Sequence, residues 1–319
     1  MSNYFFEVLR PGINTTFQDK GRFHMQHLGV TPGGCMDLDA FLIANALVEN
    51  SPNEGVLEFA YQGPLLKLIK GKTKIAITGN VLFQIIKPDQ DILKGECNRT
   101  YTLDEGDQVN ILATQESVYG YMALEGGFDL KPFCKSVSIL SRAQIGPNEG
   151  KKIKISDQIK IKVNRKNKKI FLCEIEKKNK KIIRVLKGSQ FDYFSKESQK
   201  DFFTKEYKIS NLTDRMGMRL EGTHIKNIVS TNIRSEGITK GAIQVPADGQ
   251  PIVLLTDHPT IGGYPKIANV TSVDYNQLIQ KIPGKKISFE LIKLHEAEQL
   301  YKEHLNSISK IIKNITEIN

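Results

Sequence analysis

The stretch VLEFAYQGPLLKLIKGKTKIAIT, residues 56–78, decides the fold class. Three short apolar runs, 56–60, 65–69 and 74–78, are separated by Gln-Gly-Pro and Lys-Gly-Lys breaks. Apolar runs of this length bounded by turn residues read as strands, because a helix needs roughly ten or more periodic residues. The same grammar recurs at 109–112, 119–124 and 252–256. Short strands at close spacing with Gly, Pro, Asn and Asp between them are the pattern of barrels and sandwiches, so an all-β protein is expected.

Helices punctuate this pattern rather than organise it. Asp37 has the N-cap chemistry for LDAFLIANALV, in which Leu38, Phe41, Leu42 and Ala46 share a face. A second short helix is expected after Ser195, through KESQKDFF. Near the end, Tyr301, Leu305, Ile308, Ile312 and Ile315 recur at steps of four and three, an amphipathic helix either docked on its own domain or offered to a partner. The 319 residues suffice for two cores. The boundary is expected at the Lys-rich stretch 177–181, giving one domain over 1–180, a second over 181–294 and the helix over 295–319.

The net charge of +10 suggests nucleic acid until its distribution is read. Residues 151–187 hold 15 Lys or Arg and 3 acids, which leaves 30 basic and 32 acidic groups elsewhere. One basic stretch is not a binding face, and IKISDQIKIKV alternates apolar with Lys or polar residues as a strand with one wet face would. No nucleic-acid partner is expected. No apolar run reaches about 18 residues and no signal peptide is evident, so a cytoplasmic protein with no membrane partner is expected. Cys35, Cys97, Cys134 and Cys173 are irregularly spaced, without a Cys-x-x-Cys pair, which argues against disulfides and zinc.

Familiar catalytic devices are absent: there is no Walker phosphate loop, no H-E-x-x-H, no G-x-S-x-G and no Met-Lys-Met biotinyl triplet. Four Gly-bearing polar stretches remain. In TTFQDKGR, Gln18, Asp19 and Arg22 flank Gly21, as a ligand loop or as a turn with an ion pair. His24 and His27 lie three apart, but no third ligand stands at metal-binding spacing, so no metal site is expected. In DRMGMRLEG, Arg215 and Arg219 flank Gly217; they suit a carboxylate or phosphate, or a surface pairing with Asp214 and Glu221. SEGITKGAIQVPADGQP places Gln244 on an apolar strand between glycines. TDHPTIGGYPKIA follows an apolar strand, so Asp257, His258, Thr260, Gly262, Gly263 and Lys266 emerge at a strand end. The set suits an anion or developing oxyanion, or is an ordinary tight connection.

Taken in order, TTFQDKGR, QHLGV-x-x-GG-x-MD, AN-x-LV-x-N, LE-x-x-x-x-GP, DRMG-x-RL-x-G, QVP-x-x-GQPIVL and GGYPKIA resemble the allophanate hydrolase subunit 2 family, from about Leu9 to Leu294. That family includes the 5-oxoprolinase C subunit, the antagonist of the Kip sporulation kinase inhibitor and part of the carboxyltransferase region of urea carboxylase. The resemblance implies two cyclophilin-like β-barrel domains. It implies as partners a B subunit related to allophanate hydrolase subunit 1 and a lactam-hydrolase A subunit. Its 5-oxoprolinase branch implies ATP-coupled opening of 5-oxoproline to glutamate, with ATP and magnesium shared with a partner and the chain inactive alone. Under that reading Asp19, Arg22, Asp257 and Lys266 are the catalytic candidates. Gln18, Arg215, Arg219, Gln244, Thr260, Gly262, Gly263 and Tyr264 are the substrate- or anion-binding ones. The alternatives are a biotin-dependent urea or amide carboxyltransferase and a regulatory binding protein. Two residues depart from the family pattern: His24 and Glu49 stand where the family commonly has Gly.

Overall fold

The computed structural model describes residues 4–162, 169–175 and 181–318. The chain forms two compact units: Met1–Arg22, Gly33–Glu176 and Ile308–Asn319 in the first, Phe23–Pro32 and Lys177–Ser307 in the second. This division differs from the sequence-based one in two ways: Phe23–Pro32 joins the second unit, and the terminal segment is split between the two. The expected boundary, 177–181, lies outside the described residues except for Lys181.

The first unit is a pair of sheets around one core. Gln158–Lys160, Phe5–Arg10, Leu65–Lys70, Gln108–Thr114, Val81–Ile86 and Ile92–Lys94 form a six-stranded sheet; Asn14–Gln18, Val56–Ala60, Tyr119–Leu124, Thr73–Thr78 and Thr100–Leu103 form a five-stranded one. Phe6, Leu66, Phe83 and Ile111 from the former meet Phe17, Phe59, Ile77 and Met122 from the latter. Val81–Ile86 alternates buried and half-buried positions, whereas every residue of Thr73–Thr78 and Tyr119–Leu124 is buried. The helix Leu38–Leu47 accounts for that difference. It binds the five-stranded sheet through Thr78 Oγ1 to Ala40 O, 2.8 Å, and Thr100 Oγ1 to Leu47 O, 2.9 Å. A sheet covered on both faces needs unbroken apolar runs. Burying Phe41, Ile43 and Leu47 stabilises the packing by roughly 1.5–3 kcal/mol each. Asp37 caps the helix as expected, accepting from Asp39 N and Ala40 N. Beneath that cap, Glu58 Oε2 accepts from Met36 N at 2.7 Å and Tyr121 Oη at 2.8 Å, while Tyr121 Oη accepts from Asp37 N at 2.7 Å.

The second unit contains a closed seven-stranded barrel, Ile182–Lys187, Lys266–Val270, Ala242–Gln244, Ile252–Leu254, Gly217–Glu221, Tyr207–Thr213 and Lys286–Leu291, closing back on the first strand through a parallel pair. Phe202 of the helix Lys196–Thr204 stacks on Phe289 at 4.6 Å, and the Arg184 fork grips buried Asp274 at the start of Ser272–Ile279. The all-β class and the small number of helices agree with the sequence. The barrel closes in the second unit; in the first, the described strands lie in a six-stranded, a five-stranded and a two-stranded sheet.

The terminal helix, Leu294–Lys313, has the expected stripe but buries none of its residues. A strand that the pattern did not announce, Thr316–Ile318, follows it and pairs with Ile170–Leu172. His24 and Glu49 both have left-handed backbone, φ 64° and 55°, which is what the glycine usual at those positions would supply. In the described part of the basic stretch, Lys160 faces outward while Ile159 and Ile161 are buried. Among the described residues no helix is long and apolar enough to cross a membrane.

Candidate functional site

In the first unit the strand Asn14–Gln18 runs into a turn that buries three of the candidates, Gln18, Asp19 and Arg22. The second wall of this nest is the segment 136–139, which the motif reading did not single out. Gln18 Nε2 donates to Ile139 O at 3.0 Å, and its Oε1 accepts from Ser138 Oγ at 2.5 Å. Asp19 accepts from Gly21 N and Val137 N, each at 2.8 Å, and from Ser136 Oγ at 2.7 Å. Arg22 donates from Nη2 to Ser138 O. Gly34, φ 100°, lies so close to Lys20 that a Cβ there would meet its carbonyl at 2.8 Å, which is why this crossing needs glycine. Ser136 and Ser138 alternate in KSVS, a spacing that sets both on one side of an extended segment.

The second unit gathers the other candidates at the ends of barrel strands. Arg215 lies in the turn between Tyr207–Thr213 and Gly217–Glu221, where Asp214 Oδ1 accepts from Met216 N and Gly217 N. The Arg215 fork grips Asp257, Nε to Oδ2 at 2.8 Å and Nη2 to Oδ1 at 3.0 Å. Asp214 shapes the turn, and Glu221 accepts from Ser210 Oγ at 2.6 Å. Arg219 alternates with buried Met218 and Leu220, so it faces outward, 3.6 Å from an equally exposed Asp248. Lys266 is buried and paired with Glu236, whose Oε1 also accepts from Gln190 Nε2 at 2.8 Å. The hydrogen bond from Lys266, and then that from Gln190, holds the Glu236 carboxyl below its ordinary range. Arg215, Arg219 and Lys266 therefore have three different carboxylate partners.

Around Lys266 the remaining candidates do assemble. Gln244 is its register partner on the neighbouring strand and reaches Tyr264 O at 3.5 Å. Gly262 pairs with Glu236, and a Cβ there would lie 2.7 Å from Gln244 Nε2. Thr260 accepts from Ile238 N through its carbonyl, and Gly263 from Ile233 N. His258 is buried, its Nδ1 2.6 Å from Pro259 O, and its own carbonyl accepts from Thr31 Oγ1 at 2.6 Å. Burial pushes its imidazole pKa below the ordinary value. Glu236 and Gln190 went unread because SEGITKG draws attention for its glycines and Gln190 lies in no motif. His24 and His27 are both exposed, and among the described residues no group of three His, Cys, Asp or Glu is placed to hold a metal.

A barrel whose strand ends present a buried lysine, an arginine–carboxylate fork and amide side chains defines a class. The chain belongs to the carboxyltransferase domain, subdomain A and B, family, whose model matches residues 28–291. Within that family it is similar to the C subunit of 5-oxoprolinase from Haemophilus influenzae, 30% identical over 310 residues, covering 96% of this chain and 98% of that protein. The Escherichia coli 5-oxoprolinase C subunit is also 30% identical, over 309 residues, covering 94% and 97%. The structure matches that of Kluyveromyces lactis urea amidolyase with a TM-score of 0.86 at 26% identity, over 96% of this chain but 20% of that one.

Proposed function

We propose that this chain is the C subunit of an ATP-dependent 5-oxoprolinase, acting with B and A subunits in a hydrolase that opens 5-oxoproline to glutamate. The observation that carries the reading is coverage in both directions. The relatives named as the C subunit of 5-oxoprolinase match nearly end to end, whereas only a fifth of the matched urea amidolyase chain corresponds to this one.

A lactam is a poor electrophile, and phosphorylating its oxygen turns that oxygen into part of a leaving group. The protein's task is then to hold anions and offset developing charge. Lys266 suits this best, because a buried ammonium acts on an anion with little solvent screening. Gln244 and Gln190 add amide donors beside it. Arg215 is a positioning residue in this scheme: its fork fixes Asp257 and so the connection that leads to Thr260, Gly262 and Tyr264. Magnesium does not fit the two aspartates among the catalytic candidates, Asp19 and Asp257. Both Asp19 oxygens accept from the protein, and both Asp257 oxygens are taken by Arg215, so no step is assigned to a metal on either.

Biotin-dependent carboxyl transfer is the second reading, favoured by the likeness to urea amidolyase. The Gln244 amide against the bare Gly262 backbone offers a donor and an acceptor of the kind a ureido ring accepts, and the biotin would arrive on another protein. Mixing the purified chain with the 5-oxoprolinase B subunit from the same genome and following elution by size tests the first reading. A stable joint peak is expected. Separate elution, together with co-elution with a biotin carboxylase, would favour the second.

A further inference from the structure

The Lys266–Glu236 pair has a lopsided construction. Lys266 is anchored on a barrel strand with its side chain 6% exposed, while the side chain of Glu236 is 42% exposed. A buried ammonium requires a carboxylate partner. Here the partner comes from outside the barrel, on the two-residue strand Glu236–Gly237 that pairs with Ile261–Gly262 in a separate small sheet. The donors are fixed and the acceptor is peripheral. Gln190, which donates to Glu236 Oε1, is itself tied to the barrel, its Oε1 accepting from Lys266 N at 3.2 Å. Gln244 Nε2 makes a long hydrogen bond of 3.5 Å to Tyr264 O. On the acceptor side, an added Cβ at Gly237 would meet nothing within 4 Å, so the space beside the backbone next to Glu236 is open.

We propose that Glu236 is a built-in stand-in for a ligand carboxylate: a small carboxylate anion binds by displacing it from Lys266 and taking up the Nζ of Lys266 with the amide groups of Gln190 and Gln244. The inference rests on the anion-binding role given to Lys266 above. It adds that the site is self-occupied and that apparent affinity is set by competition with the protein's own side chain. A ligand that binds only the released form sees its affinity reduced by the fraction released.

The test is a titration of the full chain, followed by NMR or calorimetry, with acetate, L-5-oxoproline and the neutral lactam 2-pyrrolidinone. A partly exposed pair holds by roughly 1 kcal/mol, so Glu236→Gln is expected to tighten both carboxylates about fivefold and leave 2-pyrrolidinone unchanged. Lys266→Met is expected to abolish carboxylate binding in either background, with circular dichroism confirming the fold. If acetate binds the wild type as tightly as L-5-oxoproline does, the displacement stands and the choice of 5-oxoproline as substrate loses support. Carboxylate binding that is unchanged or weakened in folded Glu236→Gln, or absent from both wild type and variant, overturns the displacement itself.

Discussion

Replacing Arg215 by Lys keeps the charge and removes the fork. In the structure Arg215 holds Asp257 through two parallel hydrogen bonds of 2.8 and 3.0 Å. The two side chains are 19% and 8% exposed, so screening by water is slight. An ammonium satisfies one of the two carboxylate oxygens at a time, and losing one charge-assisted hydrogen bond costs about 1.5–3 kcal/mol. The lower half of that range applies, because Arg215 keeps some solvent. For a unit of this size the loss lowers Tm by about 5–8 °C. Arg219→Lys is the control. Its contact with Asp248 is 3.6 Å between side chains 46% and 52% exposed, so the change is expected to stay within about 2 °C. Urea and thermal unfolding of both variants, followed by circular dichroism, provide the assay. A double-mutant cycle of Arg215→Ala with Asp257→Ala should show coupling above about 1.5 kcal/mol. Equal small shifts for Arg215→Lys and Arg219→Lys, or coupling near zero, would refute the view that Arg215 is the positioning residue and Arg219 a solvent-facing one.

Three further outcomes follow from the geometry. Glu49→Gly and His24→Gly should each leave stability unchanged or raise it by up to about 1 kcal/mol, since relief of left-handed strain is partly offset by unfolded-chain entropy; a loss above 1 kcal/mol in urea melts would contradict the φ values. Tyr121→Phe removes the donor to Glu58 and the acceptor of Asp37 N, and should cost about 2–3 kcal/mol in the same melts, with a neutral effect counting against the buried link. His258 has a folded pKa below its ordinary value, so the unfolded chain takes the proton first. Its contribution is complete above about pH 6.5 and is lost as pH falls through that value towards the depressed one. His258→Gln should flatten the stability profile between pH 7 and 5, and an unaltered slope would assign that acid sensitivity elsewhere.

Much of the fold was readable because burial dictated sequence locally. Residues 56–60 and 119–124 were expected as strands and are strands with those bounds, since both lie in a sheet covered on its two faces and therefore carry unbroken apolar runs. Asp37 and Ser195 were readable as caps because a side-chain oxygen before a helix has one obvious use. Thr316–Ile318 was not readable: its strand character comes from pairing with Ile170–Leu172, far away in the chain. The site was legible by location but not by partnership. Gly-rich motifs marked where Arg215, Gln244 and Lys266 would lie. The carboxylates that hold the cations, Asp257, Asp248 and Glu236, are 42, 29 and 30 residues away from them, and no local pattern marks them as those cations' partners. Ser136 and Ser138 were missed for the same reason: their hydrogen bonds reach back more than a hundred residues to Asp19 and Gln18.

The central claim is that this chain is a required but insufficient part of an ATP-coupled lactam hydrolase. The direct measurement is glutamate released from 5-oxoproline and ATP by the purified B and A subunits of the same genome, with this chain added, omitted or supplied alone. Glutamate and ADP should appear together only in the complete mixture, and rise with added chain until it matches the B subunit in amount. Turnover unaffected by omitting the chain, or turnover by the chain alone at the rate of the full mixture, would contradict the account.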